Sequence, residues 1–283
     1  MMRDLVLVTG LAAAVFAVAA SGEAAPAPGT HVSFQACPIA QDTGPRTDLC
    51  FFTEYQGIRY GLSNPTDWGL AQLRHRVLVE GRVIEGAPVC GGVPLAGRYS
   101  VLAELDDSCN KVVPEDGKVP GVATGVFDRG TPEQRAAAIA LAKRAIEDPA
   151  VSLLPAIPEP APPPAPLPPF GPRQFIVYYP FDSDRGSGPD MNEIWQLVRY
   201  AVAADARVIL TSYQGSSLLS DGSRMVERPG MARQRVGKLR DIMTGLGLPA
   251  GAVELICQDQ AIEGDGVDDW QNRRIEVSVV PRR

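Results

Sequence analysis

Residues 270–280 read WQNRRIEVSVV, Trp270 to Val280. Ile275, Val277 and Val279 alternate with Glu276 and Ser278, the period of a strand with one buried face. Two arginines stand at its entrance, and their role decides the reading of everything before them. Taken alone, Arg273 and Arg274 read as solvated charges that protect a strand start.

Working outward, the elements before this strand alternate in type. RQFIVYYPFD is a strand, and 189–204 is a helix with Ile194, Leu197, Val198, Ala201 and Val202 on one face. ARVILTSY is a second strand, and 231–246 is a second helix. AVELICQ and RRIEVSVV complete a β-α-β-α-β-β order. That order predicts an α+β fold, a sandwich with helices on one face of a mixed sheet.

Upstream lies LPAIPEPAPPPAPLPPFGP, Leu154 to Pro172. Proline removes backbone donors and fixes φ, so the stretch predicts a polyproline II spacer reaching roughly 55 Å. Before it, RVLVEGRVIEG and RYSVLAEL alternate as strands, and LCFFTEYQGIRYGLS reads as a hairpin turning at Gln56-Gly57. A small barrel or sandwich is expected there, in shape like an oligonucleotide/oligosaccharide-binding barrel. A helix follows, with Thr131 as N-cap, Pro132 at its first position, Gln134 closing a capping box, and a stripe of Ile139, Ala142 and Ile146.

The first residues resemble an export signal. Arg3 precedes an apolar run from Leu5 to Val18, too short to span a bilayer comfortably, and small residues follow as far as Ala25. Export predicts disulfides among Cys37, Cys50, Cys90 and Cys109. Three connectivities are open, and the sequence neighbours Cys37–Cys50 and Cys90–Cys109 are the simplest. Cys257 is left as a thiol facing a core. The expected organisation is a signal peptide over 1–25, a cysteine-containing β-rich domain with a C-terminal helix over 26–150, a linker over 151–172 and an α+β domain over 173–283.

A net charge of −6 and the absence of a basic stripe exclude a nucleic-acid partner. The two histidines, His31 and His75, sit in no metal-ligand spacing, so no metal or cofactor is expected. No Ser/His/Asp set is arguable, and the protein reads as no enzyme.

Four stretches carry a family resemblance. PFDSD (Pro180 to Asp184) is similar to a Phe-Asp-x-Asp-Ser strand end, and LGLPAGAVEL (Leu246 to Leu255) to a Leu-Gly-Ile/Val-Pro helix end. Arg235 stands where the second helix carries a ligand arginine, and QNRRIEV (Gln271 to Val277) matches an Asn-Arg-Arg-Val-Glu signature. Together they resemble the OmpA-like domain of outer-membrane protein A and peptidoglycan-associated lipoproteins. The resemblance covers about 110 residues from Arg173 onward. It implies a periplasmic or outer-membrane-associated envelope protein that associates non-covalently with peptidoglycan. The implied partner is the diaminopimelate of the stem peptide, and the N-terminal domain is left free for an envelope protein partner.

The resemblance places Arg235, Asn272, Arg273 and Asp182 at the binding cleft. Arg235 also stands out on its own. It lies about 40° from Leu239 on the helical wheel, inside the apolar arc, and a cation near a helix N-terminus is unfavourable unless an anion docks there. A ligand carboxylate or an internal partner such as Asp182 or Asp221 would each answer this. The family's ammonium-binding aspartate falls at Gly215, with Gln214 in place of threonine, and the loop that follows is longer. Asp221 is the residue able to substitute for it. Otherwise wall binding is weakened, and Gly215→Asp is expected to strengthen it. The alternative reading is a protein–protein interaction scaffold that keeps the fold without the wall ligand.

Overall fold

The structure is a computed structural model that describes residues 25–42, 50–62, 71–114, 131–147, 164–186 and 191–282. The signal-like start and most of the proline stretch lie outside the described residues.

The N-terminal lobe contains β1 (His31–Ala36), β2 (Pro38–Gln41), β3 (Cys50–Tyr55), β4 (Ile58–Gly61), β5 (His75–Val83), β6 (Leu95–Leu105) and β7 (Lys111–Val113). They form two sheets, β1-β5-β6 and β4-β3-β2-β7. The two are joined by a bridge between Tyr60 of β4 and Val93, just before β6. Alternate residues Val32, Phe34, Val77, Val79 and Tyr99 of the first sheet pack against Tyr60, Phe51, Tyr55 and Ile58 of the second. The β3–β4 turn is where the sequence puts it. Gln56 and Gly57 both take positive φ, 51° and 75°, as a two-residue hairpin with native twist requires.

All four expected cysteines are bridged, but the neighbour pairing is corrected to Cys37–Cys109 and Cys50–Cys90. Strand register gives the reason. β2 and β3 pair Pro38 with Thr53 and Gln41 with Cys50, so Cys37 and Cys50 lie at opposite ends of the ladder.

α1 (Pro132–Glu147) begins where the Thr131-Pro132 signal predicts. The Thr131 hydroxyl holds the Glu133 carboxyl below its usual range. Its apolar stripe is not used as expected, for Ile139 and Ile146 are both exposed.

The C-terminal lobe runs β8 (Arg173–Tyr178), α2 (Met191–Ala203), β9 (Ala206–Leu218), β10 (Arg224–Val226), α3 (Met231–Gly245), β11 (Val253–Ile262) and β12 (Arg274–Pro281). β12 sits between β8 and β9, antiparallel to both, while β11 runs parallel to β9 on its other side. Ile275, Val277 and Val279 are fully buried, as their alternation predicts. Val198 and Ala201 of α2 and Val236, Leu239 and Met243 of α3 cover the same core. The one addition to the expected order is β10, which folds back on the far end of β9.

Of the proline stretch, residues 164–172 are described. At its end the Tyr200 hydroxyl accepts from the Gly171 amide and donates to the Gly171 carbonyl, at 2.8 and 2.7 Å, so the chain lies on α2. The lobes meet along a seam. The second face of β1-β5-β6 rests on the end of β9 and on the loop after β8. Ser33 and Ser220 exchange hydrogen bonds (2.9 and 2.7 Å), and the Phe181 amide donates to the Ser100 hydroxyl at 2.9 Å. Leu78, Phe181 and Leu219 form a small buried cluster between them.

Candidate functional site

Arg235 lies on the buried face of α3, as its place on the wheel predicts, and is 0% exposed. Its guanidinium sits 4.9 Å from the ring centroid of Tyr179, whose phenol burial pushes well above its usual range. Every edge of the guanidinium is engaged. Nε donates to the Ser183 carbonyl at 2.8 Å, Nη2 to the Pro180 carbonyl at 3.1 Å, and Nη1 to the Tyr213 carbonyl at 3.4 Å. Both terminal nitrogens grip the carboxylate of Glu227, Nη1 at 2.9 Å and Nη2 in a short contact.

Glu227 is as enclosed as its partner. Besides the two arginine bonds it accepts from the backbone amides of Gly215 and Asp182, each at 3.0 Å. One carboxylate therefore fills a cage of four donors, the recognition geometry of a bidentate arginine joined by backbone N–H groups. The long loop noted in the sequence explains how it arrives. β9 continues to Leu218, turns at Asp221-Gly222 and returns as β10, and the Glu227 amide then bonds the Gly215 carbonyl at 3.2 Å. The inserted hairpin delivers the anion.

Gly215 stands where the sequence comparison expects an aspartate, and the packing there admits no side chain. A Cβ at 215 would lie 2.8 Å from the Asn272 Cβ, closer than such atoms approach. Gln214, in place of threonine, offers its side-chain oxygen to the Ala232 amide at the start of α3, at 3.4 Å.

Arg273 is the second enclosed cation, also 0% exposed. Its carboxylate comes from the other lobe. Nη1 reaches Glu80 Oε1 at 3.1 Å and the Ser217 hydroxyl at 2.9 Å, and Nη2 makes a short contact with Glu80 Oε2. Ser217 in turn donates to Glu80 at 2.7 Å. The two arginines at the strand entrance thus do different work. Arg273 pins the C-terminal strand to the N-terminal lobe. Arg274 points outward, pairs with Glu276 at 2.8 Å and lies 4.5 Å from the Tyr213 ring centroid.

Among the described residues, the side chains of Asn272, Asp182 and Asp221 make no hydrogen bond to the Arg235 guanidinium. Asn272 is half-buried and backs onto Gly215. Asp182, in a left-handed conformation at φ 51°, accepts from the Arg228 amide at 2.7 Å. Asp221 sits at the exposed hairpin tip, where the Ser223 hydroxyl holds its carboxyl below the usual range. It takes no part in the cage, and neither Asp182 nor Asp221 is the carboxylate that pairs with Arg235. The internal partner is Glu227. Glu227 and Glu80 are the residues that sequence reasoning missed. A glutamate four residues before α3 was the available signal for the first, and for the second there was none.

Among the described residues, one group of His, Cys, Asp or Glu brings ligand atoms together, Cys37, Asp106 and Cys109. Its two cysteines are joined to each other, so it offers no metal site. No described helix is long and apolar enough to cross a membrane.

No family model and no curated protein matches this chain. Solved structures that resemble part of it include an OmpA-like domain. The OmpA-like domain of FopA1 from Francisella tularensis is 14% identical with a TM-score of 0.29, over 40% of this chain and 75% of that one. The peptidoglycan-associated lipoprotein from Burkholderia pseudomallei is 17% identical with a TM-score of 0.30, over 37% and 88%. The periplasmic domain of Helicobacter pylori MotB is 10% identical with a TM-score of 0.29, over 38% and 71%.

Proposed function

We propose that this is an exported, non-enzymatic cell-envelope protein whose C-terminal lobe is an interaction scaffold on the OmpA-like plan. In it the carboxylate site at Arg235 is filled by the protein's own Glu227. The observation that carries the reading is the enclosed Arg235–Glu227 pair. For a diaminopimelate carboxylate to enter, a buried carboxylate has to leave four hydrogen bonds. Displacing it costs about 2–3 kcal/mol, the penalty of unmaking buried hydrogen bonds, which weakens a competing ligand by roughly one and a half to two orders of magnitude. The signal-like start and the two disulfides support export to the periplasm or the outer-membrane surface.

Co-sedimentation with purified sacculi tests this. Wild type is expected to stay in the supernatant, and pelleting that Arg235→Ala abolishes would overturn the scaffold reading. A second reading, peptidoglycan association with Glu227 withdrawn, is favoured by the fit of the cage to a single carboxylate. It requires Glu227→Ala, with folding verified by circular dichroism, to pellet through Arg235.

A further inference from the structure

β6 is the outer strand of the β1-β5-β6 sheet. Its first half is covered by the C-terminal lobe, with Arg98 5.2 Å from the Trp270 ring centroid and the Ser100 hydroxyl taken by Phe181. From Val101 to Leu105 the outer edge has no strand partner among the described residues. Native edges are guarded by lysine, proline, bulges or a covering loop. This stretch, VLAEL, has one charge and a register shift where it pairs with β5 opposite His75–Val77, but it has no lysine or proline and leaves Leu105 68% exposed.

Beside this edge the lobes leave a cleft of about 600 Å³, with Leu102 and Ala103 on one wall and the Phe181–Arg185 loop on the other. A second hollow of about 370 Å³ shares Leu102, Ala103, Phe181 and Arg228 and adds Met225. The two adjoin, with an apolar floor of Leu102, Phe181 and Met225. On the rim, Arg228 and Asp182 already pair at 3.3 Å. Glu104, in the smaller hollow, and Arg185, in the larger, have no ion-pair partner among the described residues.

We infer that the free edge of β6 and this inter-lobe cleft are a docking site for an extended polypeptide segment of another protein, with alternate apolar residues between a basic and an acidic end. The inference rests on the scaffold reading and names the surface that the scaffold uses. A row of unpaired backbone groups at ~3.3 Å steps is complementary to another extended backbone, while pockets beside it select alternate side chains. The apolar floor receives the alternate residues, Glu104 the basic end and Arg185 the acidic end. A second copy of this chain is a poorer occupant, because its own VLAEL edge carries no basic residue for Glu104.

The test is selection of phage-displayed random decapeptides against the full chain with both disulfides formed, followed by synthesis of the enriched sequences. Enriched peptides should alternate apolar residues between a basic and an acidic end. Backbone N-methylation at every second position should weaken binding at least tenfold, with little effect at the positions between. Ala103→Pro, which removes an edge N–H, should do the same, and Glu104→Lys should turn the basic preference into an acidic one. If Ala103→Pro does not fold by circular dichroism, Glu104→Lys and the methylation pattern decide. No enrichment, or peptides indifferent to both, would overturn the proposal. So would a concentration-dependent dimer in analytical ultracentrifugation that Glu104→Lys alters, since the edge would then serve self-association. Arg235-dependent pelleting with sacculi would defeat the scaffold reading separately and leave the peptide result legible.

Discussion

Arg235 and Arg273 are both fully enclosed and both gripped through two nitrogens by one glutamate. The partner lies eight residues away in the first case and 193 in the second. The difference separates two uses of a buried ion pair. The near pair is made within one lobe and closes that lobe's own anion cage. The far pair exists only when both lobes are folded and seated, so it reports on the seam. Their surroundings differ too. Arg235 keeps three backbone carbonyls besides Glu227, whereas among the described residues Arg273 has only the Ser217 hydroxyl besides Glu80, and its Nε has no partner there.

The comparison breaks most easily at Glu80. Glu80→Ala leaves Arg273 buried with one neutral acceptor, and the expected loss is about 3–5 kcal/mol in urea unfolding of the full chain. The two lobes share the Leu78–Phe181–Leu219 cluster and the Ser33–Ser220 exchange, so wild type is expected to unfold in one transition. A loss under about 1 kcal/mol, within the range of an exposed pair, would show that the seam opens freely.

Glu227→Ala should cost less, about 2–3 kcal/mol, the penalty of unsatisfied buried groups when part of the network survives. Three carbonyls still hold the Arg235 guanidinium, while the Gly215 and Asp182 amides lose their acceptor. Unfolding of the two alanine variants under identical conditions ranks the pairs. If Glu227→Ala is the more damaging, the carbonyl contacts at Arg235 contribute little and the ordering argued here is wrong.

These two pairs also mark what a sequence can show. Alternation in β12, the Gln56-Gly57 turn and the Thr131-Pro132 helix start are local signals, and each names its element because periodicity and turn chemistry act over a few residues. The burial of Arg235 was legible from the helical wheel for the same reason. Its partner was not, because whether a glutamate before α3 points into the cage depends on the β9–β10 hairpin and its register. Glu80 was less legible still. A strand glutamate looks solvated until a second sheet face is known to be covered, and that contact lies 193 residues away in the chain. The disulfide pairing failed on register, a property of two strands together.

Gly215→Asp sharpens the comparison from inside the cage. The sequence argument expects it to strengthen wall binding by supplying an ammonium partner. The packing opposes this, since the new Cβ meets the Asn272 Cβ at 2.8 Å and the Asn272 carbonyl carbon at 3.4 Å. Overpacking of this kind costs about 1–3 kcal/mol. The expected result is a destabilised protein with no gain in sacculus co-sedimentation. A stable variant with increased pelleting would mean that Asn272 yields easily and that the cage lies nearer a wall-binding state.

The smallest effect belongs to Asp184, the half-buried counterpart of the two enclosed carboxylates. It pairs with Lys238 at 2.9 Å and accepts from Gln234 at 3.2 Å, close to the Arg235 cage but on its solvent side. The hydrogen bond from Lys238 holds its carboxyl below the usual range. A depressed folded value stabilises the protein above the unfolded value, near pH 4, and the contribution is lost as pH falls through the folded one. The advantage of wild type over Asp184→Asn should therefore be constant from neutral pH down to about pH 4 and vanish below it. Solvent screening keeps it to about 0.5 kcal/mol at pH 7. Salt then distinguishes it from the enclosed pairs. At 1 M the screening length is about 3 Å, so the Asp184 effect should fade while the cost of Glu80→Ala persists. Urea unfolding of both variants at low and high salt measures this directly. Equal salt sensitivity would mean that water reaches Glu80, and the distinction between a seam pair and a surface pair would fail.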